Sequence, residues 1–172
     1  MSSSTKRELS AAAVSATAAS EQTNASGRGP GCMVIGFSEP RRQLLASAAA
    51  AAGWSVVESA DPKAARIQLL REPPAMVVID LEDPSRSAPE ALKGLAERVS
   101  KQRDLLIAMC GNEDNAMEEI WARQLGVWLY LPGVVKDSDL SSLLEEGSQV
   151  AARRASAAGR HAYFPEGKTA SA

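Results

Sequence analysis

The residue best placed to do chemistry is Asp80. It ends the apolar run Ala75-Met76-Val77-Val78-Ile79, which follows Glu72-Pro73-Pro74 and precedes Leu81-Glu82-Asp83-Pro84. Two prolines stop a helix, and a short unbroken β-branched run between turn signals reads as a strand buried on both faces. A carboxylate at the carboxyl end of such a strand lies where open α/β sheets bind their ligands. The same position also suits a residue that only opens a turn. Cys110 ends another apolar run, but the single histidine, His161, lies near the carboxyl terminus, so nothing in the folded part activates a thiol. Phe37-Ser38-Glu39-Pro40 stands where a glycine-rich phosphate loop would follow the first strand, and no Ser/His/Asp set is present. These residues argue against a flavodoxin-like cofactor binder or enzyme, and the expectation is no enzyme and no catalytic residue.

The bulk numbers agree with an ordinary folded domain. The chain has 172 residues, 45% of them hydrophobic, and a formal net charge of -2. That charge, spread over both signs, gives no basis for binding nucleic acid or a membrane. Cys32 and Cys110 lack metal-ligand spacing and read as buried free thiols, which points to the cytoplasm. No apolar run approaches the roughly 20 residues of a membrane span. Lys6 and Arg7 are followed by Glu8 and a weakly apolar Ala/Ser/Thr stretch, which is a poor signal sequence.

The elements that must position Asp80 follow in order. Residues 1–31 are rich in Ser, Ala, Thr and Gly and are expected to form a disordered arm. Strands are expected at 32–37, 54–58, 75–80, 104–110 and 127–131. Helices are expected at 41–52, from the Asp61-Pro62 cap to Arg71, over 87–101, over 113–125, and from Ser138 or Asp139 through Val150. Strict alternation with short connections forces right-handed crossovers and a parallel sheet covered on both faces. The fold class is therefore α/β, a doubly wound five-stranded sheet over 32–154, with a polar, disordered tail from 155 to 172.

These residues resemble the receiver domain of two-component response regulators. Gly53 to Asp61 is similar to that family's second strand and turn, Glu72 to Pro84 to its third strand, and Gly126 to Leu131 to its fifth. The resemblance implies a CheY-like (βα)5 fold with strand order 2-1-3-4-5. It puts Asp80 at the phosphoacceptor position, Cys110 at the position of a switch hydroxyl, and Tyr130 at that of the switch aromatic. It also implies two acids after the first strand that help bind Mg²⁺, and a lysine followed by a cis-proline after the fifth. Here the acid pair falls on Phe37 and Ser38, or on Gly36 and Phe37, the lysine on Gly133, and the proline on Val134. Glu39 lies one step too far along, and Lys136 three residues past the lysine position.

A single aspartate makes a poor octahedral Mg²⁺ site. The expectation is a degenerate, or pseudo-receiver, form: a stand-alone signalling module with no cofactor and no metal site, working by protein–protein contact. The alternative is slow phosphorylation of Asp80 with Mg²⁺. The expected partner is another signalling protein, whether a histidine kinase, an output protein or a regulator, and a homodimer stays open. Trp128 and Tyr130, expected on one side of an edge strand, form with Trp121 a candidate anchor surface.

Overall fold

A computed structural model describes residues 29–82, 89–133 and 137–161. Five strands and five helices alternate: β1 (Gly31–Ile35), α1 (Glu39–Ala51), β2 (Ser55–Ser59), α2 (Pro62–Arg71), β3 (Met76–Asp80), α3 (Pro89–Val99), β4 (Leu106–Gly111), α4 (Ala116–Gln124), β5 (Leu129–Pro132) and α5 (Asp137–His161). The strands pair in parallel in the order β2-β1-β3-β4-β5. This is the expected doubly wound sheet, with strand boundaries displaced by one or two residues.

Side-chain parity along the strands builds two cores. Val34, Met76, Val78 and Ala108 face α1 and α5, meeting Leu45, Ala49, Leu140 and Leu144. Met33, Ile35, Val77, Ile79 and Met109 face α2, α3 and α4, meeting Leu69, Leu92, Leu95 and Ala122. A strand covered on both faces has no polar side, which is why β3 reads as a continuous apolar run. The same parity turns Asp80, two residues past Val78, toward α1.

Local signals set the helix ends. Asp61 caps α2 as expected, its carboxylate accepting from Lys63 N at 2.8 Å, with Pro62 as the first helical residue. Helix α4 starts at Ala116 instead of at Glu113, because Asn115 takes the cap and accepts from Glu118 N at 3.1 Å. Helix α5 begins at Asp137, so Ser138 and Asp139 lie within it, and it continues past the expected boundary at 154 to His161. The expectations for residues 1–28 and 162–172, and those for Asp83, Val134 and Lys136, lie outside the described residues.

The expected alternation of Trp128 with Tyr130 is corrected by the packing. Strand β5 begins only at Leu129, so Trp128 precedes the pleat and is not bound by its period. Trp128 joins Leu129 and Leu131 against the α1–α5 core, whereas Tyr130 packs into the opposite one. The two aromatics therefore do not share a side.

Candidate site at the carboxyl end of the sheet

Asp80 is the one charged residue of the described core, with 0% exposure. A carboxylate taken out of water needs charge and hydrogen bonds in return. Both come from Arg41 in the first turn of α1. Its Nε donates to Asp80 Oδ2 at 2.8 Å and its Nη2 to Oδ1 at 2.9 Å, a two-pronged pairing. The remaining nitrogen, Nη1, stands 2.6 Å from Glu82 Oε2 as an ion pair without hydrogen-bond alignment. Glu82 N adds a longer bond to Asp80 Oδ1 at 3.3 Å. The hydrogen bonds that Arg41 donates to Asp80, with the neighbouring carboxylate charges, hold its guanidinium above its ordinary pKa against the opposing effect of burial.

Arg42 braces the next strand end, donating to the Gly36 carbonyl at 2.9 Å and pairing with Glu58 at 3.3 Å. A positive side chain at a helix amino terminus opposes the helix dipole. Two arginines there are explained by the carboxylates they meet across the sheet. Reading the sequence assigned Arg41 only to a helix; its misplaced charge next to the strand ends was the available signal.

The Mg²⁺ that the receiver resemblance implies does not fit this site. Gly36 lies opposite Asp80, and a β-carbon there would stand 2.9 Å from Asp80 Cβ. Phe37 packs into the core and Ser38 precedes α1, so neither register supplies an acid. Glu39 is exposed and accepts from Gln43 Nε2 at 3.1 Å, directed along its own helix. Both Asp80 oxygens are already occupied by a guanidinium. Among the described residues no three His, Cys, Asp or Glu side chains group as metal ligands.

Cys110 is the direct register neighbour of Asp80 and shares its face of the sheet. Burial, with the Asp80 charge second, pushes its thiol up to about 12. Cys110, Arg41, Leu45, Leu131 and Leu140 line a cavity of about 20 Å³, room for about one water molecule. Gly133, at the lysine position, borders the same cavity with a positive φ of 70° and offers no cation. No cis peptide occurs among the described residues.

Tyr130 is brought to the same end of the sheet but on the other face. Its hydroxyl donates to Glu118 Oε1 at 3.2 Å and lies directly over Gly111, where any β-carbon would collide with both groups. Burial first, and Glu118 second, raise its pKa well above the usual tyrosine range. Trp128 is half-buried against Gly147 of α5, and Trp54 is buried with its Nε1 donating to Leu144 O at 2.8 Å. Trp121 is half-buried, with Lys93 Nζ 5.9 Å above its ring. Its helix neighbours Met117 and Ile120 are 72% and 48% exposed, so α4 carries exposed apolar side chains besides the Ala122 side that packs into the core.

A five-stranded parallel sheet in this order, with a carboxylate ending its central strand, is the fold of response-regulator receiver domains. Solved structures agree. The chain is similar to NtrX from Brucella abortus in complex with ATP, at 16% identity and a TM-score of 0.66 over 83% of this chain and 32% of that one. It thus spans about a third of that protein. It also matches the separate NtrX receiver domain, at 18% identity and a TM-score of 0.60 over 69% of this chain and 98% of that one. A CheY-like receiver domain protein from Methanospirillum hungatei matches at 13% identity and a TM-score of 0.61, over 73% and 98% of the two chains. No family model and no curated relative matches the sequence. No helix among the described residues is long and apolar enough to cross a membrane.

Proposed function

We propose that this domain is a receiver-like module of two-component or phosphorelay signalling that acts through contact with another signalling protein, without efficient phosphorylation and without enzyme activity of its own. The observation that carries this is the Arg41–Asp80 pair. A phosphoacceptor must present a free carboxylate oxygen to the donor, with a metal ion to neutralise the transferred group. Here a fixed guanidinium occupies both oxygens, and the residues that would hold the metal or contact the phosphoryl group are Gly36, Phe37 and Gly133. The sheet end is a closed ion pair, and the partner must recognise the surface as folded. Similarity to receiver structures supports the signalling context.

The test is incubation of the full chain with acetyl phosphate and Mg²⁺, read by intact mass, beside an amide NMR titration with Mg²⁺ and beryllofluoride. The expected result is no mass gain and no shift at Asp80 or Cys110. A phosphoryl adduct on Asp80 overturns this reading in favour of a phosphorylatable receiver.

A further inference from the structure

Helix α3 packs beside α2 and over β3, and α4 lies over β4 and β5. Between α3 and α4 runs an open groove of about 450 Å³. The α3 wall is Glu90, Lys93, Gly94 and Glu97, spaced three, four and seven residues apart on one helical face. The α4 wall presents Met117, Glu118 and Trp121. Resting on the contact-based reading above, we infer that this groove docks a basic amphipathic helix of a partner protein.

Three observations choose that occupant. The groove sets three carboxylates, Glu90, Glu97 and Glu118, against the single ammonium of Lys93. Glu90 and Glu97 have no ion-pair partner among the described residues. Glu118 is fixed at the wall by the Tyr130 hydroxyl and the Asn112 N–H. The charge asks for cations. Second, the groove joins this charge to apolar surface: Met117 is largely exposed, and the Trp121 ring already carries a cation above it, a contact an incoming arginine can share or replace.

Third, Gly94 stands in the middle of α3, where glycine is less favourable than alanine. A β-carbon there would meet nothing within 4 Å, so no internal packing requires the glycine. Its absence of side chain leaves the α3 wall bare for close approach from outside. A groove between two helices that joins carboxylates to exposed apolar surface fits a helix laid along it, with apolar anchors toward Met117 and Trp121 and Lys or Arg toward the carboxylates.

The experiment uses the full chain and a synthetic helical peptide with leucine anchors flanked by arginines, beside a peptide whose arginines are replaced by glutamates. Amide NMR shifts are expected at Lys93, Gly94, Glu97, Met117 and Trp121 with the basic peptide only, with affinity falling several-fold as salt is raised. Gly94→Leu, whose β-carbon would meet nothing within 4 Å and whose side chain projects into the groove, is expected to abolish these shifts without lowering Tm; Glu97→Lys is expected to weaken them. Equal binding of the acidic peptide, binding unchanged by Gly94→Leu, or no shift with the basic peptide overturns the groove assignment. Concentration-dependent shifts at the same residues without peptide give the groove to a second copy and overturn it likewise. Failure here with Asp80 unmodified by acetyl phosphate removes only the groove, whereas an adduct on Asp80 removes the contact-based reading itself.

Discussion

Arg41 and Asp80, 39 residues apart in the chain, meet as a two-pronged ion pair with Nε to Oδ2 at 2.8 Å and Nη2 to Oδ1 at 2.9 Å. The carboxylate is wholly buried and the guanidinium partly open to solvent. That asymmetry makes the consequences of breaking the pair unequal.

Arg41→Ala is expected to destabilise the fold by about 3–5 kcal/mol, because Asp80 is left buried without a cation. Asp80→Asn keeps one acceptor for Arg41, whose other nitrogen still faces Glu82, and is expected to cost about 1–3 kcal/mol. Urea unfolding of both variants measures the difference. Pairing Arg41→Met with Asp80→Leu is expected to recover most of the loss, since the cost lies in the orphaned charge. A loss below about 1 kcal/mol for Arg41→Ala would show that the clamp does not hold the sheet end.

Gly111 is required by the hydrogen bond above it. A β-carbon at this position would collide with Glu118 Oε1 and with the Tyr130 hydroxyl. Gly111→Ala is expected to lower stability by about 1–3 kcal/mol through overpacking. Tyr130→Phe removes the hydroxyl and is expected to cost about 1 kcal/mol alone. Combined with Gly111→Ala it should cost less than the sum, because the clash is partly relieved. Strict additivity in thermal or urea unfolding would mean that the two groups do not meet.

The two thiols give the protein an alkaline limit. Burial pushes Cys32 and Cys110 each up to about 12. An unfolded thiol loses its proton near pH 8.5. Above that point the unfolded chain binds fewer protons than the native one, so stability falls as pH rises, the loss running from about pH 8.5 to about 12. Tyr130, also raised, contributes in the same direction once its unfolded value is passed. The urea midpoint is expected to drop between pH 7 and pH 10, and less so in a Cys32→Ala, Cys110→Ala variant. Native thiols should react with an aromatic disulfide reagent only on unfolding; rapid reaction in the native state would contradict their burial.

Trp128 reports on the seam between the edge strand and α5. A β-carbon at Gly147 would stand 3.0 Å from its ring. Gly147→Ala is expected to displace the indole outward, shift its fluorescence to the red and cost about 1–3 kcal/mol. An unchanged spectrum would place the ring away from α5. Trp128 and Tyr130 pack into opposite cores, whereas Met117 and Ile120 of α4 are exposed.

Much of the fold is determined by local sequence. The prolines before Met76, the Asp61-Pro62 cap and the glycines after α1 and α4 mark element ends within a few residues, and alternation of short strands with helices leaves few topologies. Asp80 is legible for the same reason, because a carboxylate closing a five-residue apolar strand can lie only at the sheet's carboxyl end. That Gly36, Phe37 and Gly133 stand where the receiver resemblance puts acids and a lysine is also readable residue by residue. The Arg41 clamp is different. No local pattern pairs a helix residue with a strand residue 39 positions on; the pairing follows from β3 parity, which turns Asp80 toward α1, and from the stacking of α1 beside that strand end. The division of Trp128 from Tyr130 likewise depends on where β5 begins its pleat, which is set by pairing with β4. Propensity and period act between near neighbours along the chain. Charge compensation and packing act between neighbours in space, and only the folded arrangement decides which those are.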